Sequence, residues 1–138
     1  DPSRGSLHEI QIASAVPPDF APVPRGEGGR LGLSNSGADL HFTPDGRWLY
    51  CSVRAPSTIA AFGVDPLTGI LIPAGHFPMP KEPRGFHIDP TGRFLVAAGE
   101  ISENLATFRI DPQSGALGKL KEYKVGAGPN WLEFVNLP

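Results

Sequence analysis

The chain alternates short apolar runs with sharp polar breaks, and nowhere does it keep a helical period for long. Runs at 40–42, 48–53, 58–64 and 70–77 alternate or cluster their apolar residues as half-buried strands do. Equivalent runs follow at 86–88, 94–98, 105–110 and 116–125. Between the first and second run of each set stands Pro-Asp-Gly or Pro-Thr-Gly, and between the third and fourth stands Asp-Pro-x-x-Gly. Proline presets φ and glycine takes the positive-φ position, so both read as hairpin turns. The pattern predicts an all-β chain of antiparallel hairpins.

The two sets are one unit repeated. Asp65 and Asp111 open the same turn 46 residues apart. The same shift carries Thr-Pro-Asp-Gly-Arg-Trp-Leu at 43–49 onto Asp-Pro-Thr-Gly-Arg-Phe-Leu at 89–95, and Pro83 onto Pro129. Four strands per 46 residues is the scale of a β-propeller blade, roughly 40–50 residues. The WD and kelch signatures are absent. An immunoglobulin-like sandwich, the competing all-β arrangement, does not require its unit to repeat.

With the strands of a blade called A to D, 7–12 reads as a D strand and 131–135 as an A strand. The expected division is 1–15 (D strand of a preceding blade), 16–37 (inserted loop), 38–82 (a blade), 83–128 (a blade) and 129–138 (a closing A strand). Three D strands against two B and two C strands do not close a ring, and open sheet edges are liabilities. The chain is therefore expected to be the C-terminal part of a larger propeller, with the missing N-terminal part as its first partner. The Pro- and Gly-rich stretch 16–37 reads either as a disordered linker or as a long binding loop.

Composition narrows the chemistry. Gly and Pro together make up 33 of 138 residues (17 and 16), but they recur in fixed frames and so punctuate turns rather than mark disorder. A net charge of −2 gives no general pull toward nucleic acid or anionic lipid. No uncharged apolar run approaches the ~18 residues of a membrane span. Cys51 is the single cysteine, which excludes an internal disulfide and a cysteine-rich metal site. Its neighbours Trp48, Leu49 and Tyr50 make it a small buried strand residue. No Gly-rich phosphate loop, zinc-like spacing or nucleophile elbow is present.

Three stretches carry a resemblance: ADLHFTPDGRWLYCSVRAPSTIAAFGVDPLTG (38–69), EPRGFHIDPTGRFLVAAGE (82–100) and VGAGPNWLEFVN (125–136). They resemble the C-terminal end of the seven-bladed lactonase propellers, the family of the cycloisomerase-type 6-phosphogluconolactonase and the carboxymuconate lactonizing enzyme. The likeness runs from 38 to 136, and more loosely back to Asp1. It implies a ring latched by its C-terminal A strand, and hydrolysis of 6-phosphogluconolactone to 6-phosphogluconate. Carboxymuconate cyclisation is the enzymatic variant, and a non-catalytic binding platform is the alternative of another class. The resemblance further implies a small anionic sugar lactone as partner, no cofactor or metal, no nucleic acid or membrane, and a cytoplasmic location. The family's proton-transfer His and Glu come from earlier blades, so this segment alone is expected to be inactive.

Strand parity places the candidate residues. The A–B and C–D turns share one rim of a meander, the lower; the B–C and D–A connections share the other, the upper. The upper rim carries Arg25 and Arg30 in the long loop, then Arg54, Lys81 to Arg84, Glu100 to Asn104, and Asn130. A group of arginines on one rim suits an anionic substrate, because guanidinium donors hold carboxylate or phosphate bidentately. Arg54, which matches the family's cleft arginine, is the expected catalytic residue. Arg84, Asp39, His41 and Glu100 are the expected substrate-binding residues. His41 and His87 fill equivalent slots, which also reads as packing between blades. Asp39 either holds the His41 ring or caps a loop, and Glu100 is either an acid–base group or a partner for a neighbouring cation. Arg47, in the lower-rim turn, is the matched control for Arg54.

Overall fold

The computed structural model describes residues 3–21 and 36–135. Its regular secondary structure is two four-stranded antiparallel sheets, and no helix occurs among the described residues. The first sheet is β1 (Gly37–Phe42), β2 (Trp48–Val53), β3 (Thr58–Val64) and β4 (Leu71–Pro78). The second is β5 (Pro83–Ile88), β6 (Phe94–Gly99), β7 (Asn104–Ile110) and β8 (Leu117–Lys124). Strands pair in chain order in each.

The repeat extends to irregularities that alternation does not encode. Register shifts fall at Gly37/Leu40 and Pro83/Gly85 in the A strands, and at Ala61/Phe62 and Thr107/Phe108 between C and D. The A strands consequently begin three residues earlier than the apolar runs at 40 and 86 indicate. Gly37, Pro83 and Gly85 read as breakers, yet a bulge accommodates such residues while bending the strand.

The sheets pack face to face. Tyr50, Ile59 and Ala61 of the first meet Phe86, Ile88, Leu95, Ala97, Ala106 and Phe108 of the second, all buried. Side chains alternate along a strand, so Leu49, Ala60 and Phe62 point to the other face of the first sheet, where Ala15 packs on them. Full burial of a large apolar side chain contributes about 1.5–3 kcal/mol. The inter-sheet cluster, which holds Tyr50, Phe86 and Phe108, is therefore the main source of cohesion.

Neither expected terminal strand is formed. Leu7, Ile10 and Ile12 are exposed, and the contact of 7–12 with the first sheet is made by a side chain. The Gln11 amide donates to Leu71 O at 3.0 Å and accepts Leu71 N–H at 2.7 Å. Residues 131–135 run over the face of β5, with the Phe134 ring 5.8 Å from that of His87. A strand needs its own backbone laddered to a neighbour's edge; 7–12 meets the edge of β4 only through the Gln11 side chain, and neither segment pairs its backbone with a strand. Arg25 and Arg30 lie outside the described residues.

The lower-rim turns are held by aspartates acting as acceptors. Asp45 is kept below its usual carboxyl value chiefly by the Thr43 hydroxyl. Asp89 is also lowered: burial opposes this, but the Thr91 hydroxyl and the N–H groups of Phe94, Thr91 and Arg93 outweigh it. A carboxyl lowered in the fold binds protons less readily than in the unfolded chain, so its contribution is complete above the unfolded value of 3.8 and fades as pH falls through the folded one. Urea midpoints of the intact protein should therefore drop on acidification below about 3.8. Asp89→Asn should show a shallower drop; an unchanged acid slope would remove Asp89 from the account.

Candidate functional site

Arg54 and Glu100 occupy equivalent places, each just past a B strand, and they meet across the sheets. Arg54 Nη2 donates to Glu100 Oε2 at 2.7 Å and to Glu82 Oε2 at 3.1 Å. Glu100 Oε1 accepts from Arg84 Nη1 at 3.2 Å. Arg84 is the extra residue of the β5 bulge, which turns its side chain to the rim. The cluster is graded in exposure: the side chains of Glu82 and Arg54 are 14% and 21% exposed, and that of Arg84 is 50% exposed. Two guanidinium groups and two carboxylates balance in charge, so each arginine is oriented by a carboxylate rather than held alone in solvent. Ser36 O accepts Arg54 N–H at 2.9 Å, which brings the end of the 16–37 connection to this rim.

Asp39 and His41 lie lower, on the A strand. His41 Nε2 is 3.1 Å from Asp39 Oδ1, and its ring stands edge-on to Phe86 and 4.9 Å from His87. Asp39 Oδ2 accepts the Phe86 N–H of the second sheet at 3.1 Å, and Asp39 N–H donates to Ser52 Oγ at 3.0 Å. These contacts join blade to blade. Asp39→Ala orphans a buried N–H and should cost about 1–3 kcal/mol in stability. Asp39→Asn keeps an acceptor and should cost less; equal urea midpoints for both variants would show that Phe86 N–H does not depend on this side chain.

The lower rim holds a different set of contacts. Arg47 Nη2 donates to Pro112 O at 2.6 Å and its Nε to Asp45 Oδ2 at 2.9 Å, while buried Tyr50 donates its hydroxyl to Gly115 O at 2.8 Å. Arg47 thus ties the two sheets, and it is not the inert control its position in a turn indicates. A depression of about 570 Å³ beside this rim is lined by Arg93, Arg109, Asp111 and Leu117 among others. Both of its arginines stand over the Phe94 ring at 5.7 Å, and Asp111 is engaged by its own turn. No polar groups converge there as they do around Arg54. Cys51 is half-buried, and burial first, then the Asp39 charge, raises its thiol above the usual value; a nucleophilic thiol needs the reverse. No group of three or more His, Cys, Asp or Glu is placed to hold a metal among the described residues.

The family model "Lactonase, 7-bladed beta-propeller" matches residues 1–134. The chain belongs to the seven-bladed lactonase propeller family. A 6-phosphogluconolactonase from Sodalis glossinidius is 53% identical over 95 residues, covering 69% of this chain and 29% of the relative. One from Pectobacterium carotovorum is 36% identical over 137 residues, covering 99% and 38%. Among solved structures, the periplasmic gluconolactonase of Pseudomonas aeruginosa superposes with a TM-score of 0.83 at 31% identity, covering 97% of this chain and 34% of that one. The chain thus spans 29–38% of the length of these relatives. The two sheets are propeller blades, and Arg54, Glu82, Arg84 and Glu100 gather on one rim between them.

Parity puts Glu82 on the upper rim within 81–84, but the sequence assigns it no role. It sits in the left-handed region (φ 56°), as do Ser57 (54°) and Glu103 (57°) on the same rim. That conformation costs a residue with a Cβ roughly 1–2 kcal/mol. The signal in the sequence is slight: a shift of 46 residues sets Glu82 against Gly128.

Proposed function

We propose that this chain is the C-terminal part of a seven-bladed ring that hydrolyses a δ-lactone, with 6-phosphogluconolactone as substrate and 6-phosphogluconate as product. The observation that carries the reading is the carboxylate-oriented pair Arg54 and Arg84 on one blade rim, in a chain whose relatives are named 6-phosphogluconolactonases. Residues 1–15 and 129–138 complete the neighbouring blades, the latter as the closing strand.

Lactone hydrolysis needs an activated water, stabilisation of the tetrahedral oxyanion and protonation of the leaving ring oxygen. This segment supplies the second need, or holds the substrate's own anionic group. The half-exposed Arg84 reaches outward for phosphate while Arg54 stays fixed closer to the core. Proton transfer falls to residues elsewhere in the ring. Asp39 and His41 back the same site from the innermost strand, and Glu100 acts by holding both arginines. A phosphorylated sugar does not cross a bilayer unaided, so a cytoplasmic location belongs to this reading.

One observation favours a second substrate: the Pseudomonas aeruginosa neighbour is named a periplasmic gluconolactonase. The test is hydrolysis of 6-phosphogluconolactone and of gluconolactone by the intact protein, each corrected for spontaneous ring opening. Preference for the phosphorylated lactone supports the proposal. Preference for the plain lactone moves the second substrate ahead, and acceleration of neither leaves a propeller used as a binding platform.

A further inference from the structure

The backbone conformation of Glu82 belongs to the repeat. One unit on, Gly128 takes φ 65° at the equivalent place, and glycine does so without steric penalty. A glycine at position 82 would therefore serve the fold, so what Glu82 adds is its carboxylate. Its main chain is held from both blades: its N–H donates to Ser57 Oγ at 3.1 Å, and its C=O accepts Glu100 N–H at 3.1 Å. A left-handed residue held by redundant contacts persists at functional sites, where its side chain has a task. Here the side chain ends on Arg54 Nη2, the same nitrogen that Glu100 takes. Arg54 Nε is buried without a partner, and no hydrogen bond from Nη1 is formed among the described residues.

We infer that Glu82 is a positioning residue: with Glu100 it pins Arg54 Nη2, fixes the plane of the guanidinium, and leaves Nη1 as the donor for the anionic group of the substrate. This rests on the arginine-rim reading. Guanidinium donors lie in one rigid plane, so holding Nη2 from two sides sets the direction in which Nη1 points. A single carboxylate leaves the plane free to swing about that one contact, and a donor that swings stabilises developing charge less well.

The test separates the two levels. In the intact protein, Glu82→Gly removes the carboxylate and supplies a residue suited to the left-handed backbone. It should melt no earlier than the parent, while kcat/KM for 6-phosphogluconolactone falls about tenfold. In an Arg54→Ala background the same change should alter kcat/KM by less than about twofold, because its effect passes through the guanidinium. A purely structural glutamate would shift the melting temperature and leave kcat/KM in place. If Arg54→Ala loses activity but Glu82→Gly keeps it within about twofold, or if the two losses simply multiply, Glu82 does not position Arg54 and the rim reading stands. If Arg54→Ala itself keeps full activity, the rim reading falls and this inference falls with it.

Discussion

Arg54→Ala in the intact protein is expected to slow lactone hydrolysis by about 10²–10³, or ~3–4 kcal/mol of transition-state stabilisation. Its guanidinium is mostly buried, oriented by two carboxylates on Nη2, and without a partner at Nε. A donor fixed in place before the reaction needs no reorganisation when charge develops, which is why one such group is worth so much. Arg54→Lys keeps a point charge but loses the planar fork. It can satisfy Glu82 or Glu100 but cannot present a second nitrogen in a set direction, so it should restore activity only in part. The alanine variant also leaves Glu82 and Glu100 without Arg54, so its folding is to be checked by thermal melt before rates are compared. Arg93→Ala is the control: its side chain serves its own turn, with Nε donating to Thr91 Oγ1 at 3.1 Å, and the rate should stay near that of the parent. An Arg54→Ala protein that is folded and hydrolyses the lactone within about threefold of the parent would overturn the arginine rim.

The blades were legible because period-two alternation, turn chemistry and a 46-residue repeat agree over whole units. β2 and β3 begin and end where their flanking Gly, Pro and polar residues predict. The apolar runs alone make β1 and β5 too short, since Gly37, Pro83 and Gly85 look like breakers and no alternation announces a bulge. The meeting of Arg54, Arg84 and Glu100 on one rim followed from parity alone, which counts strands and ignores side chains. Parity does not say how far a side chain reaches. That Glu82 shares Arg54 with Glu100, and that Arg47 grips Pro112 O in the other sheet, depend on the close approach of the blades, which no sequence period records. The segments 7–12 and 131–135 form no ladder in this chain for the complementary reason: apolar alternation supplies a face, but a ladder needs a neighbour.

Gly115→Ala is expected to destabilise the intact protein by about 2–5 kcal/mol, as two separable effects. Gly115 has φ 68°, so any side chain there meets the left-handed penalty of about 1–2 kcal/mol. An added Cβ would also fall 2.4 Å from Cε3 and 2.6 Å from Cδ2 of Trp48. The indole has little room to withdraw: it packs on the inter-sheet core, and its Nε1 donates to Pro112 O at 3.4 Å. Moving the turn instead stretches the buried bond from the Tyr50 hydroxyl to Gly115 O, 2.8 Å long. Overpacking of this kind costs about 1–3 kcal/mol. Gly46→Ala isolates the backbone effect, since Gly46 has φ 71° in the A–B turn of the same rim and nothing within 4 Å of its would-be Cβ. The difference between the urea unfolding free energies of the two variants is the overlap with Trp48. Trp48→Leu should recover part of that difference in the Gly115→Ala background, because the smaller side chain vacates the space beside the turn. If the two glycine variants are equally stable to within about 0.5 kcal/mol, the contact between Trp48 and Gly115 does not set how closely the blades approach at this rim.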